Sequence, residues 1–395
     1  MSECDLYFST SSSAESGTFK LIELPPDLCK LIESAIESSN PLRFTVRGQT
    51  GDDAVLCTND TTYTMRSVVL SNSVLVVTPP NASDLDFSDD SIVIRDQVNE
   101  ILELAPTVPR LHKLSAMLRG NEYDEQSAEE DMNDDQETNV SCLHCSTRFS
   151  HARSVIQASD TELLRGLRDM HILIVNGKYI FTTSRQLAHA VTGELRPIAP
   201  TYLKSILEMI LNLLVSHSLS HAATSVEVLS SALADVHEVP RTVSTQVMGW
   251  FGEICQGIWK MDVTGVVREV GLNILRPFKD NPIAKDELLA TWRSVVGDTF
   301  ESFVSVELLS GNYLTAPSRN DLLKYFPSSA LPVEPAPRFA DLFLSRSRWK
   351  AEDIAPFLAD IAINSKERDK LLLKYARSIS DSGTVWYTSR AQYNG

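Results

Sequence analysis

The stretches that decide the reading of this chain lie near its end: R338-F-A-D-L-F-L-S-R-S-R-W-K-A-E-D-I-A-P-F-L358, then K366-E-R-D-K-L-L-L-K-Y-A-R-S378, then V385-W-Y-T-S-R390. On a helix turning about 100° per residue, Lys366, Lys370, Lys374 and Arg377 fall on one narrow stripe, with Leu371, Leu372, Tyr375 and Ile379 opposite. Like charges at such spacings repel one another along a helix, so a ligand outside it is expected to use them. A basic-faced, apolar-backed helix followed by a short β segment reads as the end of a winged helix, and its expected ligand is nucleic acid. Arg346, Arg348 and Lys350 cluster just upstream and Arg390 lies on the expected wing. The candidate DNA-binding set is therefore Arg346, Arg348, Lys350, Lys366, Lys370, Lys374, Arg377 and Arg390, weighed against a merely solvated helix face. Trp349, Phe357, Trp386 and Tyr387 read as core residues of the same domain rather than base-stacking platforms.

Charge elsewhere argues for restraint. The 395 residues carry a formal charge of −16. Residues 1–140 hold 26 acids against 9 bases, whereas residues 141–395 hold 26 against 27. An acidic front half with a weakly basic tail predicts local DNA contact through the phosphate backbone, without strong sequence choice. The length allows two to four domains. Six cysteines in 395 residues and a polar opening, M1-S-E-C-D-L-Y-F, point to a reducing compartment, cytosol or nucleus. The run Ile206 to Leu219 is too short and too polar to span a bilayer.

Working back toward the N-terminus, residues 18–78 read mainly as short strands bounded by Gly, Asn, Asp and Pro, among them Tyr63 to Leu70 and Val74 to Val77, with a helix at Asp27 to Ser38. So few strands leave free edges that need covering, a hint of a partner chain. Residues 97–118 read as helical, with Val108 to Arg119 as the first helix of a winged helix. The segment Asn121 to Asn139 holds nine acids and no bases, and reads as a disordered insertion. Asp160 and Glu162 mark a helix start, followed by I172-L-I-V-N-G-K-Y-I-F181, a hairpin about Asn176-Gly177. Residues 200–258 read as helical, and 262–276, 284–296 and 299–310 as three further helices before G311-N-Y-L-T. The segment from Pro327 to Pro337, with four prolines in eleven residues, reads as a proline-rich linker.

The expected class is thus α+β and multidomain: a partial β-barrel domain followed by a helical region with tandem winged helices. The expected boundaries are a β-rich domain at 1–105 and a first winged helix at 106–190 with the acidic insertion at 120–140. A helical connector with a second winged helix follows at 191–335, and a DNA-binding winged helix at 336–395.

No catalytic constellation is legible. Gly177-Lys178 lacks the rest of a phosphate-binding loop, His237-Glu238 lacks the second histidine of a zinc-protease helix, and no G-x-S-x-G elbow occurs. Cys142 and Cys145, with His144 or His151, have a metal-like spacing, but a structural zinc site needs four ligands. Neither metal nor cofactor is expected, and the chain does not read as an enzyme.

The blocks R338-F-x2-L-F, R348-W, E352-D-I-x-P-F-L and L371-L-L-K-Y-A-R resemble the signature of the Dcc family of sister chromatid cohesion proteins. A158-S-D-x-E-L-L-R-G-L-R-D-M-H-I-L and Y63-T-M-R-x-V-x-x-S-N-S agree in family order. The resemblance implies a nuclear, non-enzymatic subunit of the alternative replication-factor-C clamp loader, active in DNA replication and cohesion. It further implies that the N-terminal domain completes a shared β-barrel with Ctf-eight and Ctf-eighteen type subunits. The last winged helix would bind single- and double-stranded DNA, and the module would dock on the catalytic subunit of DNA polymerase epsilon while the sliding clamp is loaded or unloaded. A stand-alone winged-helix regulator, or a winged-helix scaffold binding only proteins, are the alternatives that the residues leave open.

Overall fold

The computed structural model describes residues 6–8, 19–38, 42–79, 92–133, 147–177, 192–316, 319–381 and 383–390. They divide into two compact units, 1–107 with 157–159, and 108–156 with 160–395.

The first unit is one sheet with a helix. Strands β1 (Leu6–Phe8) and β2 (Leu21–Glu23) precede helix α1 (Pro26–Glu37). Pro26 sits in the first turn, where a missing N–H costs nothing. Strands β3 (Thr45–Arg47), β4 (Val55–Cys57), β5 (Thr62–Thr78) and β6 (Ile92–Pro106) follow. The strand order is β1-β6-β5-β4-β3, with β2 also on β6. The sheet is open and does not close into a barrel among the described residues. Leu28 of α1 packs with Leu56, Tyr63 and Leu104 to form the core. The segment 157–159 belongs to this unit: Arg47 donates to the Ala158 carbonyl and Ser159 N–H donates to Thr62 Oγ1 at 2.8 Å.

Two expectations fail here. Residues 97–106 are strand rather than helix, because β6 pairs antiparallel with β5 from Thr78↔Val93 to Tyr63↔Pro106. Leu and Glu favour helix weakly, and a long partner strand overrides that preference. The expected strands around Tyr63 and Val74 are one element, β5, with a register irregularity between Val69 and Val74.

The second unit opens with α2 (His112–Met117), shorter than the expected helix, and α3 (Glu125–Asn133). The described part of the acidic segment is therefore ordered. Tyr123 is fully buried, and its backbone exchanges hydrogen bonds with Pro197 and Ala199 at 2.8 Å. Asp124 accepts from Ser127 N–H and Oγ, which starts α3 and holds the Asp124 carboxyl below its usual range. Residues 134–146, with Cys142, His144 and Cys145, lie outside the described residues.

Next come α4 (Phe149–Val155), α5 (Asp160–Asp169), β7 (Ile172–Val175) and β8 (Glu194–Pro197). The partner of β7 is β8; the expected strand at 178–181 lies outside the described residues. An isolated bridge, Arg148↔Glu194, adds a third short chain beside β8.

The same order then recurs three times. Helix α6 (Pro200–Ser216) leads to β9 (Thr224–Ser225), α7 (Val226–His237), α8 (Arg241–Trp250), β10 (Gly252–Cys255) and β11 (Ile258–Met261). Helix α9 (Val263–Leu275) leads to β12 (Ile283–Ala284), α10 (Lys285–Val296), two 3-10 turns (Glu301–Phe303 and Val306–Leu309), β13 (Tyr313–Ala316) and β14 (Arg319–Tyr325). Helix α11 (Pro335–Ser345) leads to β15 (Arg348–Lys350), α12 (Ala351–Ile354) running into a 3-10 turn, α13 (Ser365–Tyr375), β16 (Ala376–Asp381) and β17 (Thr384–Ser389). In each, the last strand lies between the other two: β10-β11-β9, β12-β14-β13 and β15-β17-β16.

The stretch 200–258, expected to be helical throughout, thus ends in a hairpin. Its turn is Gln256-Gly257, both at positive φ (50° and 77°), the geometry that a tight two-residue hairpin demands. The expected helix at 299–310 is two 3-10 turns. The expected linker at 327–337 is ordered, with Leu331 buried and α11 beginning at Pro335.

One apolar core runs through the second and third repeats, from Ile198 to Leu323, and takes in Tyr123, Ala128 and Leu173 of the first. The last repeat has its own, built on Phe339, Leu342, Trp349, Ile354, Phe357, Leu358 and Leu372. No helix among the described residues is long and apolar enough to cross a membrane.

Candidate nucleic-acid interface

Helix α13 starts where Asn364 accepts a hydrogen bond from Glu367 N–H at 3.0 Å, which satisfies a free donor of the first turn. It stops at Tyr375, and Ala376 enters β16. Arg377 is therefore on a strand, not on the helical stripe expected for it. The hairpin explains the difference: β16 pairs with β17 from Ala376↔Ser389 to Asp381↔Thr384, which extends the backbone immediately after Tyr375.

The eight candidate cations fall into three groups. Lys366, Lys370 and Lys374 remain exposed on one face of α13. Lys370 is paired with Glu367 at 2.7 Å, so the stripe is less repulsive than its lysines alone imply. Arg390 donates to the Lys374 carbonyl at 3.1 Å, placing a guanidinium at the negative end of the helix. Lys366, Lys374, Arg377 and Arg390 have no carboxylate partner among the described residues.

The second group lies on the sheet. Residues facing one another across paired strands share a face. The registers Arg348↔Thr388↔Arg377 and Lys350↔Trp386↔Ile379 therefore put Arg348, Lys350 and Arg377 on one side. Arg348 lies 4.4 Å from the Trp386 ring centroid and Lys350 5.7 Å from it. Arg348 is also tied to Asp381 at 2.9 Å. The opposite side carries Trp349, Tyr387 and Ser378, and Trp349 and Phe357 are buried as expected of core residues. Trp386 is only half-buried, under the two cations.

Arg346 stands apart. It donates to the Thr315 carbonyl and hydroxyl at 3.0 and 2.7 Å and to Asp353 at 3.2 Å, and it covers the Trp349 ring. Its donors are used in joining the last repeat to β13, which leaves little for a phosphate.

A shallow cavity between the end of α13 and the β16–β17 hairpin is lined by Leu372, Leu373, Ala376, Arg377, Ser378, Tyr387 and Arg390, polar and apolar in similar measure. Leu373 is the residue that sequence reasoning missed. It is 72% exposed, and at about 100° per residue it lies within roughly 20° of Lys366, at the edge of the lysine stripe. That angular position is the signal that would have found it.

The family model described as sister chromatid cohesion protein Dcc1 matches residues 19–358, which stops short of α13. Sister chromatid cohesion protein DCC1 of Xenopus tropicalis is 26% identical over 393 residues, covering 96% of this chain and 91% of the relative. The proteins of the same name from Homo sapiens and Saccharomyces cerevisiae are 24% and 22% identical, covering 96% and 91% of this chain and 90% and 93% of the relatives. With a family model spanning the open sheet and the repeats up to Leu358, the chain belongs to the Dcc1 family of sister chromatid cohesion proteins.

Proposed function

We propose that this chain acts in sister chromatid cohesion as a non-catalytic, nuclear subunit of the alternative replication-factor-C clamp loader. Its open sheet takes up strands of Ctf-eight and Ctf-eighteen type subunits to complete a shared barrel. The four repeats of the second unit are winged helices. The last of them, residues 336–395, contacts single- or double-stranded DNA through its basic face, and the module bridges the loader to DNA polymerase epsilon as the sliding clamp is loaded or unloaded.

The observation that carries this reading is the unfinished sheet. Among the described residues, β3 has only β4 beside it, and β1 and β2 have only β6. Apolar side chains stand exposed across the same unit: Phe8 (69%), Val46 (64%) and Val69 (79%). Free strand edges and apolar patches of this kind mark a surface that another chain covers. A stand-alone regulator would have no use for it. The test is to mix the full chain with Ctf-eight and Ctf-eighteen type subunits and measure the mass of the product by light scattering. A stoichiometric three-chain complex is expected; a chain that stays alone in the presence of both rejects the reading.

A further inference from the structure

Three consecutive residues between α4 and α5, Gln157, Ala158 and Ser159, are fully buried, although two of them are polar. They belong to the first unit, not to the helices on either side. Buried polar groups need partners, and these find them along β3, β4 and β5. Gln157 Nε2 donates to the Asp53 carbonyl, in the loop that joins β3 to β4. The Ala158 carbonyl accepts from Arg47, the last residue of β3. Ser159 N–H donates at 2.8 Å to the hydroxyl of Thr62, the first residue of β5. The Thr62 carbonyl in turn accepts from Thr107 N–H at 3.0 Å.

Strand β3 has little else to hold it. It is three residues long, its one neighbour among the described residues is the equally short β4, and Thr45 and Val46 are exposed. Successive side chains of a strand point to opposite faces. Val46 therefore turns away from the sheet's interior while Arg47, 8% exposed, is gripped from within. An edge that must be ordered during binding opposes the binding, and whatever orders it beforehand adds to affinity. We propose that Gln157–Ser159 is a strap that preorganises β3 for an incoming partner strand, acting through Arg47, with Thr62 as the anchor of the strap. Both are positioning residues: each is buried and offers the partner no surface, yet partner affinity depends on each. This deepens the reading of the β3 edge as a docking site and rests on it.

The test uses the full chain, titrated with Ctf-eight and Ctf-eighteen type subunits by calorimetry, together with amide exchange on the free chain. Thr62→Val keeps the shape of the side chain and removes the acceptor for Ser159 N–H, at a position off the edge. It should speed exchange over residues 43–48, leave the β5–β6 pairing protected, and weaken partner affinity about tenfold, in line with one lost hydrogen bond. Arg47→Ala, at the other end of the strap, should do the same and decides the matter if Thr62→Val fails to fold. Thr62→Ser, which restores the hydroxyl, should recover both exchange and affinity; a role in packing alone would not be rescued. Faster exchange over 43–48 with wild-type affinity would overturn the strap and leave the docking edge standing. Unchanged exchange over 43–48 in both variants, or a loss that Thr62→Ser does not recover, would overturn it as well. A wild-type chain that binds neither subunit would remove the docking edge and the strap together.

Discussion

Arg338 and Asp360 form a two-pronged ion pair in which each terminal nitrogen of the guanidinium donates to a separate carboxylate oxygen at 2.7 Å. The partners are unequal. Arg338 is fully buried, whereas the Asp360 side chain is 47% exposed. A further bond from Arg338 reaches the Ser328 carbonyl at 2.6 Å, so this one side chain ties the start of α11 to the segment before it and to the turn after α12.

That asymmetry predicts which half of the pair is the more damaging to lose. Asp360→Ala strands a buried cation and should destabilise the chain by about 3–5 kcal/mol. Arg338→Met fills the same space without charge and leaves a carboxylate that water can reach, so it should cost only about 1–2 kcal/mol. Urea denaturation of the two variants measures the difference, and the order of the two effects is the decisive result.

The basic residues should separate by phenotype. Replacing Lys366, Lys370, Lys374 and Arg377 with Glu should abolish salt-sensitive DNA binding, since each phosphate contact contributes roughly one unit to the salt slope. Arg346→Ala should instead lower stability by about 1–3 kcal/mol, because three of its bonds go to Thr315 and Asp353. Anisotropy across a salt series, paired with thermal melts, checks both statements.

His171 gives the chain a pH dependence. Its ring packs against Trp250 and Phe251, with centroids 5.4 and 5.2 Å away. Burial, helped by the charges of Arg276 and Arg268, pushes its pKa from 6.5 down to about 4. The unfolded chain then binds a proton that the folded chain refuses. Stability is fully present above pH 6.5 and falls as the pH drops toward 4, by up to about 3 kcal/mol. Denaturation at pH 7 and pH 4.5 should show the loss. His171→Asn, which tolerates the φ of 52° at this position, should reduce it.

How much of this was legible in the sequence depends on the range of the deciding interaction. Thr45 to Cys57 alternates and turns within a few residues, and it reads correctly as strand. Gln97 to Leu104 looks helical by local preference, and only the register Arg66↔Glu103 and Val69↔Glu100, made across some thirty residues or more, makes it a strand. The acidic stretch from Glu122 reads as disordered because its charges hide one anchor, Tyr123, whose partners Pro197 and Ala199 lie far along the chain. Gln256-Gly257 signals the hairpin at 252–261, but the helical run before it masks that signal. The basic face was legible at Lys366, Lys370 and Lys374, where spacing along one helix suffices. Arg377 is placed by strand pairing and Arg390 by its bond to the Lys374 carbonyl, neither of which a helical period can anticipate.

The central claim, that partner strands complete the N-terminal sheet, is tested most directly by amide hydrogen exchange on the full chain with and without Ctf-eight and Ctf-eighteen type subunits. The account predicts that β3 (Thr45–Arg47) and the opposite edge, β1 and β2, become strongly protected in the complex, and that Val46→Asp, at an exposed position, weakens assembly. A complex that forms with exchange at both edges unchanged would contradict it.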